Sequence, residues 1–333
     1  MAKAPAKKAA KKAAKKAAKS TAKKAVTAAK KAAAKAPAAA KKQAKAAAKS
    51  AQKNISGYGM GSVDVVMSVD QVAKEAASIA ANAPTVSELE ALAQNDSFLV
   101  IDKLCAGYGK MQILHDFTLH VKKGQSLCLI GPNGAGKSTV LHFIFGFTNI
   151  FSGKIVANGK DVTALTSSQK LAQAGIAYIL QDKSVFPGMT VEENLLMGGF
   201  LKDKPSEAKA AAEMVFEKYS RLADRRDKPA GVLSGGERRL LEISRALVMN
   251  PDVLLVDEPS IGLEPRFIDM VFEILHDLQH KDGKTIIMVE QNAKKGLEFA
   301  DLGYVLVSGE TAMADRGDDL LENPDVGRLF LGG

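Results

Sequence analysis

The sequence predicts an α/β domain whose core is a mostly parallel sheet with helices on both faces. Two observations carry this expectation. Short apolar runs recur near 126–130, 176–180, 253–256, 285–289 and 303–307, with helical stretches between them. That alternation is what parallel strands joined by crossover helices produce. The first run also leads straight into a glycine-rich loop and then a helical stretch, the order of a strand–loop–helix unit.

Taken in order, the chain begins with a segment unlike the rest. Residues 1–54 hold 18 Lys, no Arg and no acid, in a background of Ala and a few Pro. Of the 46 Lys and Arg in the chain, 28 therefore remain to face 37 acids, so the net charge of +9 hides a balance of −9 beyond residue 54. Lys at 7, 8, 11, 12, 15, 16 and 19 would line one stripe of a helix, and like charges at that spacing repel. A disordered tail is expected, able to contact polyanions such as DNA or anionic lipid. It resembles the Ala/Lys tails of linker histones. No apolar stretch interrupts the lysines, so a secretory signal is not expected, and transit peptides favour Arg. Residues 55–97 read as a linker: a glycine-rich start at Ile55–Gly61, a helix over 72–83 ended by Pro84, and a helical piece over 87–94.

The main α/β unit is expected over 98–333. It opens with an antiparallel portion from Phe98–Ile101 and Phe117–Val121. The strand Ser126–Ile130 comes next, then Gly131-Pro132-Asn133-Gly134-Ala135-Gly136-Lys137-Ser138-Thr139, and then a helix over 139–145. This loop matches G-x-x-x-x-G-K-[ST] at every fixed position, in the context the motif needs. Its glycines let backbone N–H groups wrap phosphates, and the helix N-terminus adds partial positive charge. Lys137 can reach the β- and γ-phosphates, and the Ser138 hydroxyl can ligate Mg2+. The run Val253–Val256 ends in Asp257 and Glu258, suited to a Mg2+ shell and to polarising an attacking water. Helices near 191–198, 206–221 and 236–249 would form a helical arm carrying L-S-G-G-E, Leu233–Glu237.

Composition excludes several alternatives. Cys105 and Cys128 are the two cysteines, with no paired spacing, which suits a reducing compartment; Cys128 reads as core packing. The five histidines show no metal-ligand spacing, and His115, His120, His276 and His280 read as surface or cap residues. No run of 18 apolar residues occurs, so no membrane span is expected.

The phosphate loop, L-S-G-G-E and Asp257-Glu258-Pro259, in this order and spacing, resemble the ATP-binding subunits of ABC transporters over about Phe98–Gly333. The resemblance implies a P-loop ATPase with antiparallel and helical subdomains, using ATP and Mg2+. It implies that Ser234, Gly235 and Gly236 face the γ-phosphate of an ATP held by a second ATPase subunit, a paralogue or another copy. Tyr108 falls where the family stacks a ring on adenine. Gln181 falls where the family touches Mg2+ or the lytic water and senses the membrane subunit. Val185–Asn194 leads into the subdomain that docks on permease subunits. Two positions depart from the general pattern: Glu264 stands where Asp is usual, and Gln291 where the switch His is usual. Glutamine can donate to a γ-phosphate oxygen but carries no transferable proton. Hydrolysis is expected, at a rate that the missing imidazole leaves open.

Val289-Glu-Gln-Asn292, Ala300–Leu306, Leu195–Gly198, Ile261–Pro265 and the terminal Phe330–Gly333 narrow the resemblance to ATPases of branched-chain amino acid importers, the shorter of the two each transporter uses. This implies work at the cytoplasmic face of the bacterial inner membrane, with a periplasmic binding protein as an indirect partner. Other outcomes stay open: a related ATPase for urea or amides, lipopolysaccharide export, or a non-transport ATPase brought to nucleic acid by its tail. A single phosphate loop, a single signature and no inserted heptads favour transport.

Overall fold

The computed structural model describes residues 83–181 and 184–331. The basic tail over 1–54, the glycine-rich start of the linker and all but the last residue of the helix expected over 72–83 lie outside the described residues. Within them, two sheets share one core. The strands are β1 (Ser97–Tyr108), β2 (Met111–Lys122), β3 (Ser126–Ile130), β4 (Asn149–Ala157), β5 (Lys160–Asp161), β6 (Ile176–Ile179), β7 (Val253–Asp257), β8 (Thr285–Val289), β9 (Leu302–Val307) and β10 (Glu310–Arg316). The antiparallel sheet has the order β2-β1-β4-β5, and the larger sheet β10-β9-β3-β8-β7-β6. All pairs from β9 to β6 are parallel, and only β10 runs antiparallel at the edge. The expected architecture is therefore present.

Every residue of β3, β7, β8 and β9 is buried. This explains their unbroken apolar runs: strands covered on both faces have no solvent side to mark with polar residues. The two faces still alternate. Val253, Leu255, Ile287 and Val289 pack toward the antiparallel sheet and the helix Lys137–Phe145. Leu254, Val256, Ile286 and Met288 pack under the helices Pro265–His280 and Ala293–Phe299. Each such side chain contributes about 1.5–3 kcal/mol by leaving water. A third cluster, including Leu195, Phe216, Leu222 and Leu241, holds the helical arm together.

Several boundaries differ from the expectation, each for a local reason. The first antiparallel strand runs to Tyr108, well past Ile101; register shifts between Ile101 and Leu104, with Lys103 at φ 44, break the alternation that would mark a longer strand. The phosphate-loop helix starts at Lys137, not Thr139, directly after Gly136 in the left-handed region. The helix expected over 206–221 breaks at Tyr219 into Pro205–Lys218 and Ser220–Ala223. The signature helix ends at Leu247, before Met249; Asn250, at φ 50 and preceding Pro251, turns the chain out of the helix.

The helix Val86–Leu92 is capped by a reciprocal Thr85–Glu88 box. It packs on the antiparallel sheet: Leu89 and Ala93 are buried, and Gln125 Nε2 donates to the Leu92 carbonyl at 3.2 Å. A domain counted from Phe98 leaves out this part of its own core. His120 also differs from the expectation. It is buried on β2, with Nδ1 3.0 Å from Ser97 Oγ, and burial holds its pKa below the usual value. Cys128 packs in the core as expected, its thiol pKa pushed up by burial.

Candidate nucleotide-binding and hydrolysis site

The site lies where β3, β6, β7 and β8 end. The loop Gly131–Gly136 leaves β3 and turns into the helix starting at Lys137. Gly131 sits at φ 144, and a Cβ there would lie 2.2 Å from the Leu306 carbonyl oxygen, so only glycine fits beside β9. Lys137 Nζ donates to the Gly131 and Pro132 carbonyls at 2.9 and 3.0 Å, across the mouth of its own loop. Burial lowers its pKa, against the opposing pull of Glu258.

Two contacts knit distant segments together here. Ser138 Oγ donates to Asp257 Oδ1 at 3.0 Å. Gln181 Nε2 donates to Glu258 Oε2 at 2.8 Å. A hydroxyl and a carboxylate oxygen side by side are hard oxygen donors of the kind that suit Mg2+. Glu258 holds φ 43, in the left-handed region, which strains any residue bearing a Cβ unless it is supported. Its N–H donates to the Val289 carbonyl at 2.9 Å, which supplies that support. Burial, then the Asp257 and Glu290 carboxylates, raise the Glu258 pKa. Gln291 and Glu258 line one cavity of about 270 Å³ with Gly131, Asn133 and Lys137. The expected members Gly131, Lys137, Ser138, Asp257, Glu258, Gln181 and Gln291 thus meet at one end of the sheet.

Tyr108 ends β1 and is exposed; its hydroxyl shares a 2.5 Å hydrogen bond with His142 Nδ1. The signature stands apart. Ser234 caps the helix Gly235–Leu247, and its bonds are local: its hydroxyl accepts from Glu237 N–H at 3.3 Å, and Glu237 Oε2 accepts from Ser234 N–H at 2.9 Å. L-S-G-G-E is thus also a capping box, a signal present in the S-x-x-E spacing. Gly236 is buried, since a Cβ there would sit 2.2 Å from the Phe267 ring.

Four contributors were not anticipated. Tyr178 donates its hydroxyl to Asp257 Oδ2 at 2.8 Å, and burial followed by the Asp257 charge pushes its pKa up. His142 joins Tyr108 to the ring of Tyr178. Glu290, buried at the end of β8, accepts from Ser260 N–H and Asn292 N–H, both at 3.0 Å, and so ties the turn bearing Gln291 to the loop after Glu258. Arg239, buried in the signature helix, donates to the Leu180 carbonyl at 2.7 Å, the Asp257 carbonyl at 3.3 Å and Glu242 Oε2 at 2.8 Å. Their shared signal is a polar residue in an otherwise apolar strand or helix face; which partner each finds depends on register between elements.

A glycine loop feeding a helix N-terminus, opposed by paired carboxylates at the end of β7, two strands along the same sheet, defines a nucleoside-triphosphate-binding protein. The ABC transporter family profile matches residues 114–261. The chain is 45% identical over 235 residues to the high-affinity branched-chain amino acid transport ATP-binding protein BraG of Pseudomonas aeruginosa, covering 71% of this chain and 100% of that protein. It is 38% identical over 230 residues to a probable branched-chain amino acid transport ATP-binding protein, LivF, of Archaeoglobus fulgidus, covering 69% and 97%. Among solved structures, a nucleotide-free ATP-binding cassette from an ABC transporter superposes with a TM-score of 0.63 at 28% identity, covering 71% of this chain and 100% of that one. The chain belongs to the ABC transporter ATP-binding proteins and is an ATPase. Among the described residues, no helix is long and apolar enough to cross a membrane.

Proposed function

We propose that this ATPase powers an importer of branched-chain amino acids, at the cytoplasmic face of the bacterial inner membrane, as the shorter of its two ATPases. The observation that supports hydrolysis most is the pair of contacts between remote segments, Ser138 with Asp257 and Gln181 with Glu258. The solute class is supported by the 45% identity to a branched-chain amino acid transport protein along that protein's full length.

ATP would lie along Gly131–Thr139, its base against Tyr108 and its terminal phosphates drawn to Lys137. The Lys137 ammonium, now bonded to two loop carbonyls, would exchange them for phosphate oxygens. Ser138, Asp257 and Gln181 would hold Mg2+, which when bound neutralises charge on the phosphate oxygens. Glu258 would orient the attacking water and accept its proton, steered by Gln181. Gln291 would donate to the γ-phosphate, and Glu290 keeps its turn in place. Ser234, Gly235 and Gly236 would complete the site of a second ATPase subunit, a paralogue or another copy. Permease segments would dock on the groove of about 420 Å³ beside the arm, lined by Phe147, Phe186, Met197, Phe200 and Arg245. Residues 1–54 would add salt-sensitive contact with DNA or anionic lipid.

The test is to purify the complex with its permease subunits, reconstitute it, and add solute-loaded periplasmic binding protein. ATPase stimulation by the leucine-, isoleucine- or valine-loaded form is expected. Stimulation by a urea- or amide-loaded form alone would reassign the solute. Retention of the full chain on DNA, lost at high salt and lost without residues 1–54, checks the tail.

A further inference from the structure

Asp257 has two carboxylate oxygens, and the fold treats them differently. Oδ1 accepts from Ser138 Oγ at 3.0 Å, beside the phosphate loop. Oδ2 accepts from the Tyr178 hydroxyl at 2.8 Å, on the side of β6. Tyr178 is the only residue with a polar side chain in β6, between Ala177 and Ile179, which are buried. β6 and β7 are parallel neighbours, with Tyr178 opposite Leu255, so the hydroxyl reaches two residues along to the carboxylate.

The ring that carries this hydroxyl is held on several sides. Phe145 lies tilted at 5.6 Å between centroids, and His142 and Phe147 meet it edge-on at 5.7 and 5.8 Å. Such aromatic packing fixes a ring's direction as well as burying it. A hydrogen bond from a locked donor removes rotation of the carboxylate, which is how outer partners orient metal ligands.

We propose that Tyr178 is a positioning residue for the Mg2+ site: its hydroxyl holds one oxygen of Asp257 and leaves the other, beside Ser138, for the cation. The inference rests on the reading of Ser138 and Asp257 as that site. It assigns Tyr178 no contact with nucleotide or metal. It also separates the hydroxyl, which acts on the carboxylate, from the ring, which acts on packing.

The experiment uses the full chain and equilibrium binding of a fluorescent ATP analogue, titrated with MgCl2 and in excess EDTA. Tyr178→Phe keeps the ring and removes only the donor. The Mg2+ concentration for half-maximal enhancement of binding is expected to rise about tenfold or more, in line with losses of outer-shell partners elsewhere. Binding in EDTA and the thermal unfolding midpoint are expected to stay near wild type. The ATPase rate should recover at saturating Mg2+. Ile179→Val, which trims the buried packing of β6 but leaves the Tyr178 hydroxyl on Asp257, is expected to keep the wild-type Mg2+ response. A Mg2+ response for Tyr178→Phe within twofold of wild type would overturn the inference. So would an equal shift in Ile179→Val, since packing alone would then account for it. Wild-type binding that ignores Mg2+ altogether would overturn the metal-site reading, and the inference with it.

Discussion

The phosphate-loop region and the signature region are wired in opposite ways. On the phosphate-loop side, the bonds cross between elements: Ser138 to Asp257, Tyr178 to Asp257 and Gln181 to Glu258. On the signature side, Ser234 and Glu237 bond each other within a single turn. What joins the signature helix to the rest is its buried flank, where Arg239 grips the carbonyls of Leu180 and Asp257. The fold therefore ties the phosphate-loop side together internally, while Ser234 and Gly235 at the N-terminus of the signature helix are exposed. In the proposed assembly that exposed N-terminus would face an anion held by a second subunit.

This contrast can be broken at several points. The largest effect is expected from Glu258→Gln. Steady-state hydrolysis should fall by about 10²–10⁴-fold, while ATP binding persists and a closed dimer accumulates, read by size-exclusion chromatography with ATP. Full turnover by this variant would remove Glu258 as the base. Arg239→Ala comes next, because it leaves Glu242 as an uncompensated buried charge. A loss of about 3–5 kcal/mol in urea unfolding is expected. A loss no larger than that of a surface pair would show that the arm is held by packing alone.

Ser234→Ala separates the two roles of the signature. Its capping loss should cost about 1 kcal/mol of stability. Nucleotide affinity of the isolated chain should not change, because Ser234 bonds only within its own turn. Hydrolysis in the assembled transporter should drop. Lost affinity in the isolated chain would place Ser234 in its own chain's site.

The smallest effect concerns His120, far from the chemistry. Its buried ring is held neutral, so its folded pKa is below the unfolded value. The unfolded chain takes up a proton below about pH 6.5. Stability from this group is therefore present above that pH and lost as pH falls toward the lowered folded pKa. The wild-type unfolding midpoint should drop more than that of His120→Gln between pH 7.5 and 5, by a few degrees at most. Parallel pH curves would mean that the ring protonates freely in the folded state.

The fold class and the phosphate-loop half were legible in the sequence because both are written in local patterns. Apolar runs mark strands buried on both faces, and Gly131–Ser138 declares its loop within one stretch of chain. Gln181, Asp257 and Glu258 were also legible, each at the end of such a run. Tyr178, His142, Glu290 and Arg239 were not. Their partners lie on other elements, 34 residues away for His142 and Tyr108, and 79 for Tyr178 and Asp257. Strand register and side-chain reach decide those pairs. His120 was misplaced because a histidine on a strand looks polar; its burial, with the Tyr304 hydroxyl bonded to the His120 backbone, shows the position is interior. The boundary at Phe98 missed Leu89 for the same reason, since one leucine in an acidic helix does not announce which sheet it covers.

Equilibrium ATP binding to wild type and to Lys137→Ala tests the central claim most directly. The loop ammonium is placed to meet the terminal phosphates, so affinity should fall about a hundredfold, equivalent to ~2.7 kcal/mol. Equal affinity in the two proteins would contradict the account, because nucleotide would then be held somewhere other than the Gly131–Thr139 loop.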